Sequence, residues 1–448
     1  MSDDERGDDF ELPDDEALRA AFESFLQGGE SFDPAQFLAS AGLNLEAPEI
    51  KKMMSQLQAA FSGGLNPDPN ASRDHAVSVA KEGALALDPA TSAALATAAN
   101  VASLWLNEVT SIAELPHTPL IGTRVEWARK TLPVWEEIVA PVAAAIPRAV
   151  SDMMKTSAPK ELAEALSQVA APMEKVSRSL FTMQLSSVVG KLATEVLSGG
   201  DIGIPLIHGD SEYDVHAMLI AQNMREFSSD LDIPLEEADI FLAAREIAHA
   251  RLFRHAKWLR LHLMSTIHDF AAGIHIDSDR IMELSEEFDP SNPEAMKDLV
   301  TSGKLLPKRT PEQERALERL GSMLALIEGW VDHVTSEATA RLPKSDALGE
   351  AIRRRRASGG PAERAFSTLV GLELRPRRLR EASALWARIS EALGAQARDA
   401  LWQHPDTLPT EFDIDHPQEC IERLLAPAAE PDDMDQALSD LLDEETPS

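Results

Sequence analysis

A short window near the middle of the chain has the residue types of a zinc-binding helix, with one substitution. In such a helix two histidines at i and i+4 bind zinc, and the glutamate after the first activates metal-bound water. The matching window is residues 245–249, Arg-Glu-Ile-Ala-His. Glu246 is therefore the candidate catalytic residue and His249 a candidate metal ligand. Arg245 stands at the first histidine position.

The arginine changes the chemistry that this window supports. A guanidinium has no lone pair for a metal and stays protonated in proteins. Arg245 therefore places a fixed positive charge where a zinc ion would lie, which makes it a cleft residue rather than a ligand. Zinc is expected only if another side chain supplies the missing bond.

A second helix offers such a ligand. Glu328 and Asp332 lie at i and i+4 and share one helix face. We predict that Glu328 is a metal ligand and that Asp332 orients the metal-binding histidine by a hydrogen bond to its ring. His255 is six residues after His249, and on a continuous helix the two side chains diverge. His255 is therefore predicted only at the edge of the cleft.

A basic strip follows these two helices. Residues 351–380 contain nine arginines against two glutamates, within a chain of net charge -33. One interpretation is a network of internal ion pairs, because arginine suits paired sites. The alternative is an anion-binding site or a surface for acidic partners. Its candidate residues are Arg353, Arg354, Arg355 and Arg356.

The elements that carry these residues are predicted to be helices. Apolar residues recur at intervals of three and four, and only 5% of residues are aromatic. We expect an all-α fold with at most minor strands. One helix should run from Pro234 to about Ala272 and another from Thr310 to about Leu342, followed by a basic loop over residues 353–360.

The ends of the chain differ from the rest in composition. Residues 1–16 and 430–448 each carry a net charge of -8. We predict an acidic, partly disordered extension over 1–71, a helical body over 72–427 and an acidic disordered tail over 428–448. An alternative is that the body consists of two parts, an N-terminal half over 72–205 and a half over 206–427 that contains the motif.

Composition also restricts the location and the partners. A single cysteine, Cys420, fits a reducing compartment, and no signal peptide or membrane-spanning stretch is evident. We therefore expect a cytoplasmic protein with no membrane partner. A net charge of -33 argues against general nucleic-acid binding. The sequence gives no oligomeric state.

Several longer segments carry a family resemblance. They are residues 200–206, 244–253, 324–332, 353–363 and 369–378. Together they resemble a bacterial family of hydrolases or zinc-dependent metalloproteases with a zincin-like helix, in a branch with arginine at the first histidine. The resemblance implies a mostly helical fold and a metal-dependent hydrolase acting on a peptide or protein.

The resemblance and the substitution lead to different functions. The first is a zinc-dependent hydrolase whose rearranged site uses Glu246, His249 and Glu328. The second is a catalytically inactive binding or scaffold protein with a zincin fold, in which the cleft holds a ligand without cutting it. A third is a regulator that binds anions through the basic strip.

Overall fold

The computed structural model describes residues 69–157, 178, 181–274 and 309–426. The described part of the chain is mostly helical, as predicted. The helices and strands follow in this order: α1 (Pro69–Ala80), α2 (Pro89–Val109), β1 (Leu120–Gly122), α3 (Arg124–Ser157), α4 (181–195), β2 (Met218–Ile220), α5 (Ala221–Ser229), α6 (Leu235–His255), α7 (Trp258–Ala272), α8 (Pro311–Ala338), α9 (Ser345–Ser358), α10 (Pro361–Val370), α11 (Leu379–Ala400), α12 (Glu411–Asp415) and α13 (Pro417–Leu425).

Local sequence signals determine where the long helices begin. The Asp88 carboxylate accepts a hydrogen bond from the Thr91 amide and caps α2. Thr310 and Gln313 form a reciprocal capping box at the start of α8. A proline occupies the first turn of both helices, where its missing N–H costs nothing.

Helix α6 lies at the centre of the packing. It contacts α2 and α8, and α8 in turn packs on α7 and α11. Every residue from Ala238 to Phe253 is buried. Charged side chains on α6 therefore point into protein rather than into water, and each needs a partner.

The two short strands pair in parallel beside this helix. Leu120 is opposite Met218, and Gly122 is opposite Ile220. All three residues of β2 are buried, and β2 packs against α6. The pair is the minor strand content that the prediction allowed, and it brings residue 120 and residue 218 into contact.

Two predicted elements differ in detail from the structure. The helix expected to run from Pro234 to Ala272 is interrupted at Ala256, whose backbone leaves the helical region at φ -92° and ψ 72°. The break redirects α7, and the Trp258 indole N–H then donates to the Trp402 carbonyl at 2.9 Å. The expected basic loop over 353–360 is wrong, since residues 353–358 are helical and Gly359 ends α9 at φ +62°.

The hydrophobic core joins both parts of the predicted body. One cluster of buried side chains runs from Ala76 to Cys420 and contains residues from either side of position 205. The acidic tail and almost all of the acidic extension lie outside the described residues, so their prediction stays a prediction. Within the described residues, none of the helices is long and apolar enough to cross a membrane.

Candidate functional site

The guanidinium of Arg245 forms an ion pair with the carboxylate of Glu328. Arg245 Nη2 donates to Glu328 Oε2. The pair joins the centre of α6 to the centre of α8, and Glu328 is 0% exposed. The arginine at the first histidine position therefore points toward the predicted third ligand and occupies the space between the two helices.

A second guanidinium shares this carboxylate. Arg356 Nη2 on α9 lies 3.4 Å from Glu328 Oε1. Burial raises the pKa of the Glu328 carboxyl, but the charges of Arg245 and Arg356 outweigh that effect and lower its pKa below the usual value. Glu328 is therefore a buried anion that is already neutralised by protein cations.

The neighbouring carboxylates are held by the basic strip. Arg355 Nη1 donates to Asp201 Oδ2 at 2.7 Å, and Arg353 Nη1 lies 3.1 Å from both oxygens of Asp332. Arg354 pairs with a carboxylate of its own helix and is exposed. Arg355 therefore links α9 to the loop after α4, and Arg353 links α9 to α8.

Asp332 has partners other than the predicted histidine. Besides Arg353, it accepts a hydrogen bond from the Ser383 hydroxyl at 2.7 Å. Its carboxylate thus ties α8 to α9 and α11. None of its hydrogen bonds goes to His249, so the arrangement does not use Asp332 to orient that ring.

Glu246 supports the backbone instead of facing an open cleft. Its Oε2 accepts from the Gly200 amide at 3.0 Å and its Oε1 from the Met218 amide at 2.9 Å. Burial raises the pKa of the Glu246 carboxyl to about 7, although the hydrogen bonds favour the ionised form. The carboxyl therefore fastens the 198–200 loop and β2 to α6.

The ring of His249 is enclosed by the loop that follows α4. A Cβ atom built on Gly200 would lie well inside van der Waals contact with the ring, so only glycine fits there. Neither ring nitrogen has a hydrogen-bond partner of good geometry among the described residues. Burial lowers the pKa of His249 to about 4, and the Arg245 charge adds to this. The imidazole is therefore neutral at pH 7.

These residues do not assemble a zinc site. Zinc in proteins needs at least three side-chain ligands that converge on one point. In the described part of the chain, no third histidine, cysteine or carboxylate brings a ligand atom close to those of His249 and Glu328. Arg245 fills the place of the first ligand. The donor set at the motif helix does not fit a zinc ion.

His255 lies away from this centre. It is exposed at the end of α6 and lines a separate surface cleft of about 670 Å³. A smaller cavity of about 280 Å³ borders the basic strip, where Asp201, Arg355 and Arg356 meet the Gly359–Gly360 turn. Two arginines and three carboxylates line it, and among them Arg355 pairs with Asp201 at 2.7 Å and Arg356 with Glu363 at 3.9 Å.

One cluster of metal-ligand type was missed by the sequence analysis. His117, Asp214 and His216 each bring a ligand atom within 4.8 Å of the other two. The Asp-x-His spacing is a local signal for two of them, because alternate residues of an extended segment share a face. Nothing local connects His117 to that pair.

Comparisons with known proteins agree with the fold. The sequence model described as zincin-like metallopeptidase matches residues 68–421, and the chain therefore belongs to that family. A solved structure from Chloroflexus aurantiacus, described as a "putative hydrolase with a novel fold", is 18% identical with a TM-score of 0.54. The match covers 81% of this chain and 100% of that chain and shows the fold alone. No curated protein matches the chain.

Proposed function

We propose that this member of the zincin-like metallopeptidase family is a catalytically inactive binding or scaffold protein at its motif helix. The observation that carries the proposal is the buried ion pair between Arg245 and Glu328. A guanidinium there supplies the positive charge that a zinc ion would otherwise give to the Glu328 carboxylate. Its role is to join α6 to α8, which a metal would do by coordination.

The glutamate at the catalytic position of the pattern also has a structural role. A general base must reach the water that it deprotonates. Both oxygens of Glu246 instead accept backbone N–H groups of the surrounding loop and strand. With both oxygens engaged in this way, the Glu246 carboxyl is not free to activate a water.

The ligand of such a protein would be an acidic or amide-rich segment of a peptide or protein. The 280 Å³ cavity beside Arg355 and Arg356 supports this, since guanidiniums can donate hydrogen bonds to carboxylate or carbonyl oxygens. A ligand there would have to compete with Asp201 for Arg355.

The competing function is zinc-dependent hydrolysis, as the family's description suggests. One observation favours it: both nitrogens of the buried His249 ring are without partners of good geometry, as the ring of a waiting ligand would be. It also requires that Arg245 leave Glu328, and that a further residue become a ligand.

Metal analysis of the full chain, purified without a histidine tag, distinguishes the two functions. We compare the zinc content of wild type with that of His249→Ala, and we assay both against a general protein substrate with and without a chelator. We expect equal zinc contents and no chelator-sensitive cleavage. Zinc that is lost in His249→Ala, together with cleavage lost in the same variant, would overturn the proposal.

A further inference from the structure

We infer that His117, Asp214 and His216 form a binding site for a divalent transition metal on the surface of the protein, separate from the motif helix. The inference does not depend on the proposed function. The three residues belong to two segments, before β1 and before β2, and neither segment contains the zincin pattern.

The strand pairing explains why the two histidines meet. Leu120 of β1 is opposite Met218 of β2 in a parallel register. His117 precedes the first strand by three residues and His216 precedes the second by two. Because the strands are parallel, both histidines lie at the same end of the pair. Their ring centroids are 4.9 Å apart, and the rings are tilted by 39°.

A tight turn places the aspartate beside the second histidine. The Gly209 amide donates to the Asp214 carbonyl at 2.9 Å, and the His216 amide donates to the Ile207 carbonyl at 3.0 Å. A Cβ atom on Gly209 would overlap the Asp214 carboxylate and approach His216 Nε2. The carboxylate and the ring are thus packed against a glycine, with Asp214 Oδ2 at 3.1 Å from His216 Nε2.

The separations are close to those of an occupied site. Zinc bonds of about 2.0–2.2 Å place the ligand atoms of a tetrahedral site roughly 3.3–3.6 Å apart. The separation of 3.1 Å between His216 and Asp214 is near this range, and all three ligand atoms lie within 4.8 Å. The His117 side chain belongs to the other segment and has to close the remaining distance. It is exposed, so a side-chain rotation suffices.

The other oxygen of the aspartate has a separate partner. Arg254 Nη1 donates to Asp214 Oδ1 at 2.7 Å, which leaves Oδ2 directed toward His216. Such a hydrogen bond from behind is how proteins orient metal-binding carboxylates. The positive charge of Arg254 also weakens the attraction for a cation, so we expect moderate rather than very tight affinity.

The donor set selects the class of metal. Two imidazole nitrogens and one carboxylate oxygen suit Zn²⁺, Co²⁺ or Ni²⁺, whereas Mg²⁺ and Ca²⁺ prefer oxygen ligands alone. Three protein ligands leave a fourth position open. Asp214 also lines the 670 Å³ cleft, so the metal would lie at the edge of that cleft.

The test uses the full, untagged chain after chelator treatment. Zn²⁺ is titrated by calorimetry, and Co²⁺ is followed by its visible absorption, which reports coordination directly. We expect one site per chain. His117→Ala and His216→Ala should each weaken binding at least tenfold, roughly the minimum that the loss of a supporting group causes at metal sites. His117 is exposed, so its variant tests the site without disturbing the fold.

A matched control separates this site from incidental binding. His404 and Asp406 form an exposed histidine–carboxylate pair at 3.3 Å that has no part in the cluster. His404→Ala and His249→Ala should leave the affinity unchanged. The absence of stoichiometric binding, or binding lost in either control variant but kept in His117→Ala, would overturn the inference.

Discussion

Replacement of Arg245 by methionine tests the ion pair at the motif helix. Methionine keeps much of the aliphatic volume but removes the charge, which leaves the carboxylate of Glu328 fully buried with Arg356 at 3.4 Å as its remaining cation. Breaking a buried pair in this way costs about 3–5 kcal/mol. Because Arg356 still neutralises part of the charge, we expect a loss near the lower end, about 3 kcal/mol.

The loss is measured by urea unfolding at pH 7, in a double-mutant cycle with Glu328→Gln. The double variant removes both charges of the pair and leaves the buried Arg356 with Glu363 at 3.9 Å. Its loss should therefore be at least about 2 kcal/mol smaller than the sum of the two single losses. Lower pH should reduce the cost of Arg245→Met, because protonated Glu328 needs no cation. These two results together identify the charge, and not the packing, as the cause.

An exposed ion pair gives the matched control. Arg319 and Asp269 are 2.9 Å apart, with both side chains about half exposed. Arg319→Met should cost less than about 1 kcal/mol. If Arg245→Met costs no more than this control, or if the cycle is additive, the ion pair does not hold α6 to α8 and the reasoning is refuted.

Further predictions concern the groups around this pair. The pKa of Glu246 is raised to about 7, so between about pH 5 and 6.5 this group should lower the stability of the protein as pH rises. The pKa of His249 is lowered to about 4, so over the same range this group should raise the stability as pH rises. The free energy of unfolding, measured in urea, should therefore fall with rising pH in His249→Gln, where only Glu246 remains, and rise with pH in Glu246→Gln. The same pH dependence in both variants would contradict this. Gly200→Ala should cost about 1–3 kcal/mol through overlap with the ring, whereas Gly321→Ala, with open space around it, should be neutral or stabilising by thermal unfolding. Arg245→His should gain zinc by metal analysis, because it adds a third ligand beside His249; no gain would mean that the helices cannot close around a metal.

The sequence allowed the helices of the centre to be predicted. The i, i+4 spacing placed Arg245 with His249, and Glu328 with Asp332, on shared helix faces, because helical periodicity is a local property. Periodicity does not report what a side chain contacts. That Arg245 pairs with Glu328 depends on how α6 crosses α8, which the chain determines only through tertiary packing.

The features that the sequence did not predict are non-local or depend on weak local preferences. The break at Ala256 has no proline or glycine to mark it, and packing of α7 decides it. Residues 353–356 are helical although Gly359 and Gly360 follow them, and the guanidiniums of Arg353, Arg355 and Arg356 reach carboxylates on other elements. His117 and His216 are brought together by a parallel strand pair of only three residues each.

Zinc-edge anomalous scattering from crystals of the full chain grown with zinc tests the central claim most directly, because it locates each bound ion. We predict that Arg245 remains paired with Glu328 and that no anomalous peak lies within bonding distance of His249. A peak between His249 and Glu328, with the guanidinium displaced, would contradict the claim that a protein cation has replaced the metal at this helix.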